Sequence, residues 1–316
     1  MPWVLRGLRD GIVTSRYPRR HDGYGATFAA AVAVDRSAVG RQAERAGESG
    51  GRSRPRELEE AAEACPTGAI LLEDDRLAAS VGGNRDRAGD ARSSGGEGRG
   101  AAAGAGVRID RGRCILCERC VDTLPEVFSL EASIEVAAIG RRALVVPELA
   151  EDRPGLDALA SSLAERVRAF GRSVHVRHVD CGSDGSEEWE IAALTNPLYD
   201  VQRLGIFFTA SPRHADLLLV TGAGSAGMLG PLRATYEAMA EPRLVVAVGT
   251  DAASGGAFAG SYATRGGVGE VVPVDVYVPG SPPSPFSILH GILLALGRVG
   301  AGPRRPAAPG APGADR

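Results

Sequence analysis

Three of the chain's five cysteines stand in the stretch CILCERC, at Cys114, Cys117 and Cys120. Thiolates at Cys-x-x-Cys-x-x-Cys spacing can each hold one iron of a 4Fe-4S cubane, and the chemistry of such a cluster is one-electron transfer. A cubane has four corners, so a fourth ligand is needed. The cysteine that usually closes such a run, three residues on and followed by proline, is replaced here by Leu124, with Pro125 behind it.

Upstream, EACPTGAI contains the Cys-Pro that ends a ferredoxin run, Cys65-Pro66. In the two-cluster ferredoxin arrangement the last cysteine of one run joins the first three of the other. Cys65 then completes the set with Cys114, Cys117 and Cys120. Counting back from Cys65 at the run's spacing, the first three places of its own run fall on Pro55, Leu58 and Ala61. None of these can hold iron, and the other cluster would need those three plus position 124. The losses are concerted, and one complete ligand set survives. Zinc on four cysteines is the alternative, against which the tight triplet and the Cys-Pro weigh. An odd number of cysteines with three at ligand spacing favours a metal site in a reduced compartment over a disulfide framework.

These ligands need elements to carry them. The chain has 316 residues, room for about two domains. Residues 1–30 begin with Val4, Leu5, Leu8, Ile12 and Val13 at helical spacing between arginines, which reads as an amphipathic arm. A first helix packed on its own domain fits the spacing equally. Residues 31–150 hold the cysteines and form the single-cluster unit. Within it, residues 76–107 are too poor in large apolar side chains to bury anything and read as a disordered insertion. Loop-closure cost grows only logarithmically with length, so the insertion does not prevent Cys65 and Cys114 from meeting.

Residues 151–171 carry Leu156, Leu159, Leu163 and Val167 at three- and four-residue spacing, a linker helix. Beyond it, RSVHVRHVD, ADLLLVTG, RLVVAVG and VVPVDVYVPG read as strands. They alternate with helical segments near 186–195, 228–240 and 284–297. Strands alternating with helices indicate a doubly wound α/β domain with a mainly parallel sheet over 172–298. The Pro/Gly/Ala stretch 299–316 is expected to be disordered.

Composition narrows the function. A net charge of −3 with 44% apolar residues gives no electrostatic reason to expect nucleic acid. All 36 basic residues are arginine, which excludes a P-loop lysine or a Schiff-base lysine. No run approaches the roughly 20 apolar residues of a membrane span, and no signal peptide opens the chain, so a cytoplasmic location is expected. His175, His178, His214 and His290 are scattered, and His175 and His178, three apart on a strand, would face opposite ways. No catalytic residues are assigned. Cys181 reads as a small buried apolar residue.

One motif competes. Gly222, Gly224 and Gly227 form G-x-G-x-x-G between a strand and a helix, the context of a dinucleotide site, with Asp251 at the end of the next strand. The same glycines can serve only the turn and close packing.

Longer segments carry a resemblance. Residues 1–135, with the cysteine set and the opening GLRDGIVTSRYP, resemble the two-cluster ferredoxin subunits of complex I and the membrane-bound nickel–iron hydrogenases. This implies a small α+β ferredoxin-like domain ahead of the α/β half. YDVQRLGIFFTASPRHADLLLVTG, MLGPLRATYEAMAEPRLVVAVGT and VVPVDVYVPGSPP resemble the small-subunit family of complex I and the group 4 nickel–iron hydrogenases, which implies a flavodoxin-like fold whose loops hold an iron–sulfur cluster. At that family's four ligand places this chain has Asp184, Glu187, Asp251 and Ser281. All four thiolates are absent, so no second cluster is expected. Those places read as an emptied pocket, or as a site for a hard divalent cation.

The resemblance implies a fusion of the two subunit types, with an electron-transfer and scaffold role in a membrane-associated complex I-like or group 4 nickel–iron hydrogenase-like oxidoreductase. Its partners would be a large-subunit-like protein and membrane-arm subunits, on the inner face of the cell membrane. Two alternatives remain: an interaction subunit with a structural cluster, and an NAD(H)-binding oxidoreductase.

Overall fold

The computed structural model describes residues 2–20, 22–48, 56–72, 106–149, 151–171 and 173–300. Most of the segment read as an insertion, and all of the tail beyond Gly300, lie outside these residues. Strand β3 (Val107–Asp110) starts at the last residue of that insertion, and Val299, the first residue assigned to the tail, is buried in the core.

In chain order, the first half contains α1 (Pro2–Asp10), β1 (Ala29–Val34), α2 (Arg36–Glu48), α3 (Arg56–Glu63), β2 (Ile70–Leu72), β3, α4 (Arg119–Thr123), β4 (Phe128–Ala132), β5 (Ala138–Ile139) and β6 (Val145–Val146). Strand β1 pairs antiparallel with β4, and β2, β3 and β6 form a three-stranded antiparallel sheet. Leu58, Ala61, Ile70, Ile109, Leu124, Val127 and Phe128 pack into one core between them.

Helix α5 (Arg153–Val167) leads to β7 (Val174–Asp180), α6 (Ser186–Ala193), β8 (Ile206–Phe208), β9 (Leu217–Thr221), α7 (Leu229–Ala238), β10 (Leu244–Val248), α8 (Thr250–Ser254), β11 (Val276–Val278) and α9 (Pro285–Ala295). The apolar runs are strands because both faces are covered: every residue of β9 and β10 is buried, as in a parallel sheet between helix layers. Spatial order is β8-β7-β9-β10-β11, all parallel. Counted from the first strand this is 2-1-3-4-5, the flavodoxin-like order, which places ligand sites outside the carboxyl ends of the strands. Helix α9, apolar except for Ser287 and His290, is wholly buried. Its start is set by Pro285 at the first helical position and by Ser284, whose hydroxyl accepts from the Ser287 N–H at 3.2 Å.

The two halves share structure. Strand β5, from the cysteine-bearing half, adds antiparallel to β11 as the sixth strand of the large sheet. At the N-terminus, Thr14 donates to the Pro197 carbonyl at 2.8 Å, the Ser15 N–H to Leu198 at 2.8 Å, and Arg203 to the Tyr17 carbonyl at 2.6 Å. The rings of Tyr17, Phe28 and Tyr199 stand edge-on to Phe286. The foot of the arm is thus rooted in the α/β half, while Leu5 and Leu8 of α1 are 69% and 76% exposed. Among the described residues no helix is long and apolar enough to cross a membrane.

Candidate iron–sulfur site and the neighbouring carboxylate pocket

Cys65 follows α3, Cys114 and Cys117 lie in the loop between β3 and α4, and Cys120 is in the first turn of α4. The four line one cavity, with Val32, Ile70, Ile109 and Ile115 among its apolar walls. The loop coils tightly: Leu116 and Glu118 adopt φ of 54° and 63°, a region costly for side-chain-bearing residues and concentrated at functional sites. Backbone N–H groups reach the sulfurs, Ala69 to Cys65 at 3.2 Å and Leu116 to Cys114.

The donor set suits a cluster. Burial pushes the Cys114 thiol up to about 11, with charge on Cys120, Cys65 and Cys117 adding to the rise. Burial likewise raises Cys120. Four mutually repelling thiolates in one apolar cavity need a cationic core to stay deprotonated together. Among the described residues no group of three or more His, Cys, Asp or Glu gathers as the shell of a single metal ion.

The places expected for the other cluster of the ferredoxin pair are filled with core. Leu58 and Ala61 are fully buried and Leu124 is nearly so, all in the same apolar cluster. Pro55 lies outside the described residues.

In the second half, Asp184, Glu187, Asp251 and Ser281 all follow carboxyl ends of strands β7, β10 and β11. They split by burial. Asp184 is exposed, and its carboxylate accepts from the Ser186 N–H at 2.9 Å and hydroxyl at 2.6 Å. Those bonds hold its pKa below the ordinary carboxylate value. Ser281 is exposed as well. Glu187 is 1% and Asp251 8% exposed. Burial pushes Glu187 up to about 7, and the charge of Asp251 adds to it. Asp251 is raised by burial and by Asp184. These places form no shell for a single cation among the described residues.

The Gly-rich turn is used internally. Gly224 and Ser225 donate their N–H groups to the Cys181 carbonyl at 3.1 and 2.9 Å, and Ala223 to Gly182 at 3.2 Å. A Cβ on Gly222 would lie 2.5 Å from backbone atoms of Gly182 and Ser183. The donors a pyrophosphate would need are spent on the neighbouring turn, so Gly222 and Gly224 serve the turn and close backbone packing, while Gly227 has open space beside it. Cys181 is fully buried, its thiol raised to about 11 by burial. His175 is exposed, whereas His178 lies beside Thr221 at 3.0 Å and Glu188 at 3.5 Å.

Sequence reasoning missed the residues that join the two sites. Thr250 donates its hydroxyl to the Cys114 carbonyl at 3.0 Å. Arg141 donates to both oxygens of Asp110, at 2.7 and 2.8 Å, and to the Ala253 carbonyl of α8 at 2.9 Å. Asp110 in turn accepts at its backbone carbonyl from the N–H of Cys114, 3.2 Å. No local pattern marks any of these contacts.

A flavodoxin-order sheet fused to a four-cysteine ferredoxin-like unit defines an iron–sulfur small-subunit class of protein. The sequence agrees: residues 184–295 match the family of the NADH ubiquinone oxidoreductase 20 kDa subunit, and residues 107–153 a 4Fe-4S single-cluster domain. The chain belongs to that 20 kDa subunit family. It is 40% identical over 141 residues to the membrane-bound hydrogenase subunit mbhJ of Pyrococcus furiosus, covering 45% of this chain and 84% of that one. Formate hydrogenlyase subunit 7 of Escherichia coli is 41% identical over 141 residues, covering 45% of this chain and 55% of that subunit. The match thus spans little more than half of the latter's length. Among solved structures, a chain of the membrane-bound sulfane sulfur reductase, an archaeal respiratory membrane complex, aligns at 28% identity with a TM-score of 0.37, covering 44% of this chain and 74% of that one.

Proposed function

We propose that this chain is an electron-transfer and scaffold subunit of a membrane-associated oxidoreductase of the complex I-like or group 4 nickel–iron hydrogenase-like type, with one 4Fe-4S cluster on Cys65, Cys114, Cys117 and Cys120. The observation that carries the reading is the convergence of Cys65 with the CILCERC loop on one cavity, across an intervening stretch of chain that includes β2 and β3. When bound, the cluster supplies a one-electron site. The chain's own groups hold it: four sulfurs bind, and the N–H groups of Ala69 and Leu116 offset negative charge on two of them.

A single cluster is supported by the apolar side chains of Leu58, Ala61 and Leu124 at the first-half ligand places, and by oxygen-bearing side chains at the second-half places. The names of the relatives, subunits of formate hydrogenlyase and of a membrane-bound hydrogenase, support a large-subunit-like partner and membrane-arm subunits. The exposed Leu5 and Leu8 of α1, flanked by Arg6 and Arg9, suit peripheral contact at the inner face of the membrane within such a complex. The α/β half, without cysteines at Asp184, Glu187, Asp251 and Ser281, acts as the scaffold.

The test is anaerobic purification with iron and acid-labile sulfide counted per chain, then EPR of the reduced protein. About four irons and a reducible cubane signal are expected for one 4Fe-4S cluster. About eight would overturn the single-cluster reading, and zinc in place of iron would overturn electron transfer altogether.

A further inference from the structure

The cysteine loop is tied to the α/β half at two points, and both ties land on the five-residue helix α8. One runs through Arg141, which grips Asp110 just ahead of the loop and also reaches Ala253. The other is Thr250, fully buried between the loop and the turn after β11. Its hydroxyl is completely used. It donates to the Cys114 carbonyl at 3.0 Å and accepts from the Gly280 N–H at 3.3 Å, while the Thr250 N–H donates to the Gly280 carbonyl at 2.7 Å. A buried side chain with both roles filled by backbone groups of two separate loops is a specific connector, since loss of it leaves a half-buried carbonyl and a buried N–H without this partner.

We propose that Thr250 is the positioning residue of the iron–sulfur site, fixing the Cys114 end of the ligand loop against the carboxyl edge of the parallel sheet and orienting a hydroxyl dipole toward a ligand residue. The inference rests on the cluster reading above. The hydroxyl turns its positive end toward Cys114, so it favours the reduced, more negative state of a cluster bound there. Hydrogen bonding around the ligands is one of the levers on a cluster's potential. Arg141 provides a second tie to α8, so the fold is expected to survive without the Thr250 hydroxyl.

The test uses the full chain purified anaerobically, as wild type, Thr250→Val and Thr250→Ser. Valine keeps the shape and removes the hydroxyl, and serine keeps the hydroxyl. Iron and sulfide are counted first, then the potential is read by EPR-monitored redox titration. The expected result is a full iron complement in all three, a potential shifted to more negative values with an altered EPR signal in Thr250→Val, and wild-type behaviour in Thr250→Ser. Loss of the cluster in the valine variant alone would equally support a positioning hydroxyl. A valine variant with the wild-type potential and signal would overturn the role, as would loss of the cluster in both variants, which would point to the methyl group's packing. A wild type without iron would sink the cluster reading itself, and this role with it, an outcome separate from unchanged variants of an iron-loaded protein.

Discussion

The guanidinium of Arg141 forks onto the carboxylate of Asp110 with two hydrogen bonds, 2.7 and 2.8 Å long, and Asp110 has no exposure to solvent. This geometry matches the fixed donor fork of arginine, which a lysine could not reproduce. The pair sits between the cysteine loop and α8, so its loss is felt in both halves.

Arg141→Met is expected to destabilise the chain by about 3 kcal/mol, because it leaves a buried carboxylate uncompensated. Arg113, 3.5 Å from Oδ2 of the same carboxylate, offsets part of that cost. Denaturant unfolding of the variant and the wild type checks it. An unchanged midpoint would mean that Arg113 and the Gly112 N–H, 3.0 Å from Asp110, suffice.

Serine substitutions should separate the cysteines into two groups. Cys65→Ser is expected to lose the cubane signal and most of the bound iron, since it removes the one ligand supplied from outside the CILCERC loop. Cys181→Ser, in the core of the other half, should retain both. Iron and sulfide analysis of the two variants side by side is the measurement.

Leu58 is fully buried in the core of the cysteine-bearing half. Truncation in Leu58→Ala leaves a cavity and should cost about 3 kcal/mol. The same cavity would loosen α3, which leads into Cys65, so faster loss of iron on air exposure should accompany the lower stability. Thermal unfolding and iron-release kinetics report the two effects.

Glu187 gives the chain a pH dependence. Burial pushes its pKa up to about 7 from an ordinary 4.5. The folded state therefore holds this proton more tightly than the unfolded state. The stabilisation is full below pH 4.5 and is lost as pH rises through 7. The gap between those two values corresponds to roughly 3 kcal/mol, and the raised Asp251 acts in the same direction. Glu187→Gln should flatten the decline in stability between pH 5 and 8, read as unfolding midpoints across that range. A decline identical to the wild type would remove Glu187 as its source.

Gly222 has φ of 82°, and a Cβ there would meet the backbone of Gly182 and Ser183 at 2.5 Å. Backbone cannot yield as a side-chain tip can. Gly222→Ala is expected to cost about 3 kcal/mol or to prevent folding, whereas Gly227→Ala, with open space around its Cα, should be tolerated. Circular-dichroism melting of the two variants tests a packing role for the motif, because a phosphate-binding role would not predict this contrast.

Much of the architecture was legible because it is local. Uninterrupted apolar runs such as LLLVT and LVVAV mark strands buried on both faces whatever lies around them. The cysteine spacing likewise carries its chemistry within seven residues, and the Cys-Pro pointed to Cys65, which lines the same cavity as the other three cysteines. Strand β8 was missed because three residues, IFF, are too few to show a period. Strand β5 was missed because its two residues become a strand only by pairing with β11, far along the chain.

By itself, the sequence determined which residues could ligate a cluster and which four central strands, β7, β9, β10 and β11, build the core of the sheet. Tertiary structure alone decided that Glu187 is buried while Asp184, three residues earlier, faces water, because burial depends on what packs against a helix and not on its spacing. It alone decided that the Cys114 carbonyl meets Thr250, 136 residues away, and that Arg141 bridges Asp110 to α8. Contacts between distant segments leave no periodic trace in the chain; they arise when two separately readable halves bury their edges against each other.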